Sequence, residues 1–187
     1  MRYFIKKLLR EDLEYFSVTD ATKDKYSIGL EEEIAPLNYK LPEKINISNQ
    51  LKNKLSTISW SDISIDDVGS EYLNVKLPFG DFSNSIILRI QQTRNDLLQI
   101  HLDLSNELQN IGLGYKIYKA VINYLGYIYS AKSRRMNPKI NSIWKSLNDD
   151  PDVECYNNSY GDSICFTKNK SLNYLEAKHN LLTKIGN

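Results

Sequence analysis

The stretch "QNIGLGYKIYKAV", from Gln109 to Val121, sets Gly112 and Gly114 two apart in a chain with only 8 glycines among 187 residues. Glycine has no Cβ, so it permits a positive φ and lets a ligand approach the peptide closely. The residues after it follow a helical pattern. A helix that starts there presents free N–H groups and the positive end of its dipole, a ready site for phosphate. The alternative is a tight strand-to-helix connection with no ligand. Just upstream, "LLQIHLDLS" places His101 and Asp103 two apart, so on a strand they share one face, opposite Leu98, Ile100, Leu102 and Leu104. The chain's 2 histidines lie far apart, so no zinc spacing exists and no metal is expected.

Composition narrows the classes. Hydrophobic residues make up 41% and charged residues 25%, ordinary for a globular protein, and 187 residues suffice for one sizeable core. A net charge of +1 offers no global field for nucleic acid or acidic lipid. "MRYFIKKLLRED" lacks the uninterrupted apolar core and cleavage site of a signal peptide, and no apolar run is long enough to cross a bilayer. The expectation is a soluble, intracellular chain. Cys155 and Cys165 point to a reducing compartment and buried free thiols rather than a disulfide framework; in a β-hairpin they would be neighbours on adjacent strands. The 13 tyrosines are scattered without stacking spacing and read as core and rim.

The elements that would position these residues are legible from about Glu71. "RYFIKKLL" and "DKYSIGLEEEI" are ambiguous between strand and helix, and Pro36 and Pro42 break any long element. Ile45, Ile47, Leu51 and Leu55 predict a short helix. "EYLNVKLPF" alternates through Leu73, Val75 and Leu77; "PFGDFSN" turns; "SIILRIQQ" is a buried strand; "TRND" turns again; "LLQIHLDLS" is the third strand of an antiparallel meander. A helix follows over Leu113 to Leu125 with Ile117, Ala120, Val121 and Tyr124 on one side, then a short strand "GYIYS". "NPKINSIWKSL" predicts a helix capped at Asn137, with Pro138 in its first turn and a stripe of Ile140, Trp144 and Leu147. "DVECYNN" and "SICFTK" form a closing hairpin, and "SLNYLEAKHNLLTKI" is an amphipathic tail. The class is α+β: a mostly antiparallel mixed sheet with a βαβ crossover at the glycine turn and flanking helices.

With that order of elements, Glu71 to Lys168 resembles the GNAT superfamily of N-acetyltransferases, particularly small phage-borne ones. The family's signature is Gln or Arg, two residues, Gly, one residue, then Gly or Ala; here it stands as Gln109, Gly112 and Gly114. The resemblance implies one domain over residues 1–168, divergent over 1–70, with a helical extension over 169–187. It implies acetyl-coenzyme A as cosubstrate. The backbone amides of Gln109, Asn110, Ile111, Gly112, Leu113, Gly114 and Tyr115 would cradle the pyrophosphate, and Asn137 would contact the cofactor. Leu102 to Leu104 would pair with the pantetheine arm where that strand splays from Tyr127 to Ser130.

Acetyl transfer by direct attack needs a deprotonated amine, a polarised carbonyl and a partner for the departing thiolate. His101 and Asp103 are the candidate base, Asp103 orienting His101 or acting through water; the other reading is two polar residues on a solvated face. The family's tyrosine seven residues after Asn137 is Trp144 here, and an indole N–H is no practical acid. Ser142, Tyr129 and Tyr118 are the substitutes in view. Lys132, Arg134, Arg135 and Lys139 read as a solvated basic loop in preference to a site for the 3′-phosphate or nucleic acid. Two functions follow: an acetyltransferase acting on an unidentified small-molecule or protein amine in the cytoplasm, or a catalytically inactive GNAT-fold binding or structural protein, associated with a virion if of phage origin. Nucleic acid and membrane are not expected partners; self-assembly through the C-terminal helix is compatible with either.

Overall fold

A computed structural model describes residues 41–67, 71–93, 97–131, 138–159, 161–168 and 183. These residues belong to one compact unit, Leu41–Asn187. The readings of the first forty residues, of Asn137, of Lys132, Arg134 and Arg135, and of the amphipathic tail lie outside the described residues, Thr183 excepted.

The fold is α+β. Strands β1 (Ser64–Asp67), β2 (Tyr72–Lys76), β3 (Ile86–Gln92), β4 (Leu98–Leu104), β5 (Tyr127–Ser130), β6 (Val153–Asn157) and β7 (Ser163–Thr167) form a seven-stranded sheet in the order β1-β2-β3-β4-β5-β7-β6. Every neighbouring pair is antiparallel except β4–β5. Three helices, α1 (Asn49–Thr57), α2 (Leu113–Leu125) and α3 (Pro138–Asn148), stand among the described residues. Helix α2 is the crossover of the parallel pair and touches β1, β5 and β7. One helix can reach strands from both halves of a sheet only if the sheet curls around it, as twisted strands do.

The predicted meander is present. Leu73, Val75 and Leu77 are buried as their alternation requires, and the register carries one apolar face from Ile65 and Val75 through Leu88, Ile90 and Ile100 to Ile128 and Cys165. The opposite face of the central strands carries the half-buried Tyr72, Arg89, Gln91, His101 and Asp103 beside the buried Ile87 and Gln99. Between β2 and β3 the left-handed position falls on Phe79 at φ 78, not on Gly80; its exposed ring lies 5.7 Å beneath the Lys54 ammonium.

The helices follow their local signals with two differences. Ser48 caps α1 by accepting the Leu51 N–H, which leaves Ile45 and Ile47 before the helix; Leu55 is its buried anchor. Gly126, at φ 88, closes α2 by donating to the Ile122 carbonyl, a left-handed C-cap. Helix α2 is buried on most sides through Leu113, Ile117, Tyr118, Ala120, Val121, Ile122 and Leu125, whereas Tyr124, expected on its apolar side, is exposed.

The cysteines overturn one expectation. Cys155 and Cys165 are not free thiols but form a disulfide across β6 and β7. They are register partners with Cα atoms 4.1 Å apart, the close approach of a non-hydrogen-bonded cross-strand pair. Hairpin register, which a compartment argument does not see, brings the two sulfurs together.

Candidate functional site

The glycine turn is built in three steps. A 3-10 turn, Asn106–Leu108, ends β4; Asn110 then takes φ 63, and Gly112 takes φ 74 as the N-cap of α2. A side chain in the left-handed region is strained, which accounts for glycine at 112. A Cβ added there meets nothing within 4 Å, so the turn opens onto free space. No side chain caps α2, and its first turn holds no acidic residue. The helix therefore presents its first N–H groups outward, the arrangement that takes an anion.

Gly114 has a different cause. A Cβ there would stand 2.9 Å from the Ile143 Cδ1 of α3, so its small size serves helix packing. The Gln109 side chain also works within the protein. Its Nε2 donates to the Leu104 carbonyl at 2.8 Å, and its Oε1 accepts from Lys139 Nζ at 2.8 Å, tying the end of β4 to the first turn of α3.

Strands β4 and β5 pair in parallel at one position only, Gln99 with Tyr129. Beyond it β4 continues from His101 to Leu104, and among the described residues no strand pairs with it on that side. Leu102 thus has backbone groups toward a gap that ends at the glycine turn, while the Leu104 carbonyl on that side is taken by Gln109. His101 and Asp103 do share a face, as expected; they stand opposite Arg89 and Ile87 on β3 and are half-buried. Through the Gln99–Tyr129 register, Tyr129 lies on that face too, and its hydroxyl donates to Asp162 at 3.1 Å.

The other hydroxyls considered for proton transfer are placed as follows. Tyr118 is buried and stacks edge-on against Trp144, centroids 6.5 Å apart. Ser142 donates to the Lys139 carbonyl at 2.8 Å on the exposed side of α3. Trp144 is itself buried, so the indole is core.

The structure adds a cluster absent from the sequence reading. Lys119, 6% exposed, sits 2.7 Å from Asp150 and 3.1 Å from Asp152, with the Trp60 ring 5.3 Å from its ammonium. The Tyr115 hydroxyl donates to the same Asp150 oxygen, and the Asp152 N–H donates to the other at 2.8 Å. Burial, reinforced by the Asp150 carboxylate, pushes Tyr115 up to about 12. Burial opposes ionisation of Asp150, yet its bonds to Lys119, Tyr115 and the Asp152 N–H prevail and hold its carboxyl below the usual range. Burial likewise opposes the Lys119 charge, and the bonds to Asp150 and Asp152 outweigh it and raise its pKa. The only hint in the sequence was Tyr115 and Lys119 at i, i+4, which share a helix face.

This cluster forms one wall of an open cleft of about 690 Å³ whose other lining includes Ser56, Ile111, Gly112 and Lys116. Lys116 donates to the Ser56 carbonyl at 2.6 Å, and burial lowers its pKa. Two lysines face three aspartates in the cleft, so side chains there do not favour an anion; attraction must come from the α2 amides. No group of His, Cys, Asp and Glu among the described residues is arranged to hold a metal ion. No described helix is long and apolar enough to cross a membrane. No protein-family model and no curated protein matches the chain.

Proposed function

We propose that this protein is a GNAT-type acetyl-coenzyme A-binding protein that transfers the acetyl group to an amine. The observation that carries the reading is the β4–α2–β5 unit, whose strands part after one register pair and whose helix starts uncapped at a left-handed glycine. The residues fit the cosubstrate: the α2 N–H groups and the open space over Gly112 suit a pyrophosphate, and the side of Leu102 that no described strand covers suits a pantetheine amide. Bound there, acetyl-coenzyme A supplies an acetyl group activated as a thioester.

The chain's own part is positioning and proton transfer. His101, half-buried on the polar face of β4, takes the proton that the attacking amine loses, and Asp103 on the same face orients the imidazole or holds a water between them. Thiol release from acetyl-coenzyme A over a panel of amines tests the reading. Turnover is expected, and His101→Ala should lower it and remove the inflection near an imidazole pKa from the pH–rate profile. An unchanged profile would return His101 and Asp103 to a structural role.

A second reading has its own observation. Trp144 is packed edge-on against Tyr118 where the family places its acid, which suits a GNAT-type fold that binds without turnover. Absence of thiol release with every amine, together with retained coenzyme binding, selects this reading.

A further inference from the structure

The turn Asp150–Asp152 that holds Tyr115 and Lys119 runs directly into β6. Three bonds fix its exit: Val153 N–H to the Asp150 carbonyl, Lys168 N–H at the end of β7 to the Asp152 carbonyl, and Asp152 N–H to the Asp150 side-chain carboxylate. Among the described residues β6 has one neighbour, β7, at the edge of the sheet. The disulfide bridges these two strands at the centre of their five-pair register. Cys165 is fully buried in register with Ile128 of β5, whereas Cys155 is half-buried on the edge strand and is the more accessible residue of the pair.

We propose that Cys155–Cys165 is a redox latch on the cleft at the N-terminus of α2. With the bridge formed, β6 is held to β7, and Asp150 and Asp152 are held against Tyr115 and Lys119. A dithiol reductant opens the latch. One of its thiolates attacks Cys155 Sγ and breaks the S–S bond, and Cys165 leaves as a thiolate that takes a proton from solvent. The second thiol of the reductant resolves the mixed disulfide, which frees Cys155 as a thiol and the reductant as its cyclic disulfide. The edge strand then opens locally and carries the acidic turn away from α2. This conformational coupling does not depend on which ligand, if any, occupies the cleft.

Hydrogen exchange on the full chain tests it, comparing protein purified in air with the same protein in dithiothreitol, and with the double variant Cys155→Ser, Cys165→Ser. Amides of β6 and of the first turns of α2 should exchange faster together in the reduced protein and in the variant. The gain is at most about a hundred-fold, the chain-entropy limit for a crosslink with a sequence separation of 10. Asp150→Asn should speed exchange in α2 alone, with the bridge intact. Dithiothreitol should leave the double variant unaltered. Faster exchange confined to β6 and β7, no change at all, or an effect of dithiothreitol on the variant would each overturn the latch. Global unfolding on reduction would make the bridge a staple, and free thiols in the air-purified protein would remove it; both results also overturn the proposal.

Discussion

Replacing Asp150 by Asn removes the charge that a buried lysine is built around. Asp150 and Lys119 have side chains only 2% and 8% exposed, and their charged atoms lie 2.7 Å apart. Removing one partner of a buried ion pair costs roughly 3–5 kcal/mol, because the other charge stays buried without compensation. Two contacts soften the loss here: Asp152, itself exposed, remains 3.1 Å from the ammonium, and the Trp60 face lies 5.3 Å away. The expected cost therefore lies at the low end, about 3 kcal/mol. At roughly 2–4 °C per kcal/mol for a chain of this size, the melting temperature should fall by about 6–12 °C. Adding Lys119→Met should recover most of that loss, since the apolar side chain leaves no stranded charge. Urea titration of the wild type, both single variants and the double variant closes the cycle. A cost below about 1 kcal/mol for Asp150→Asn, the range of an exposed ion pair, would refute the claim that this charge network is buried and coupled.

Other perturbations separate the roles of neighbouring residues. Gly112→Ala forces an L side chain to φ 74 and should cost about 1–2 kcal/mol, while Gly114→Ala meets only the movable end of Ile143 and should cost less; thermal melts that rank them the other way would contradict the assigned roles. Tyr115 titrates near 12 when folded against about 10 when unfolded, so the folded state holds a proton that the unfolded state has lost. Its contribution is full below about pH 10 and is lost as pH rises toward 12; Tyr115→Phe should flatten that part of the stability profile, and an unchanged alkaline limb would show that Tyr115 does not bear on it.

Short-range chemistry in the sequence carried much of this architecture. The alternation of Leu73, Val75 and Leu77, the apolar run from Ile86 and the glycines around Leu113 marked β2, β3 and the start of α2, because each is set by neighbours within a few residues. The glycine turn and the shared face of His101 and Asp103 were legible for the same reason. What escaped depends on partners far along the chain. Strand β1 is four residues with two exposed or half-exposed polar positions, and only pairing with β2 makes it a strand. Lys119 reads as a surface residue of an amphipathic helix until the turn at Asp150, thirty-one residues on, closes over it. Gly114 matched a phosphate motif, yet its nearest steric constraint is Ile143 of another helix. The hairpin that makes Cys155 and Cys165 neighbours was legible, though not the bond between them, and Tyr124 came out exposed although its spacing placed it with the apolar side of α2.

The central claim is that the left-handed turn at Gly112 holds the phosphates of a coenzyme. Calorimetric titration of the full chain with coenzyme A measures it directly, with Gly112→Val as the paired variant. The φ of 74 and the open space above the turn predict heat of binding for the wild type and its loss in a variant that still melts cooperatively. No heat at millimolar coenzyme A, or equal binding by Gly112→Val, would contradict the account.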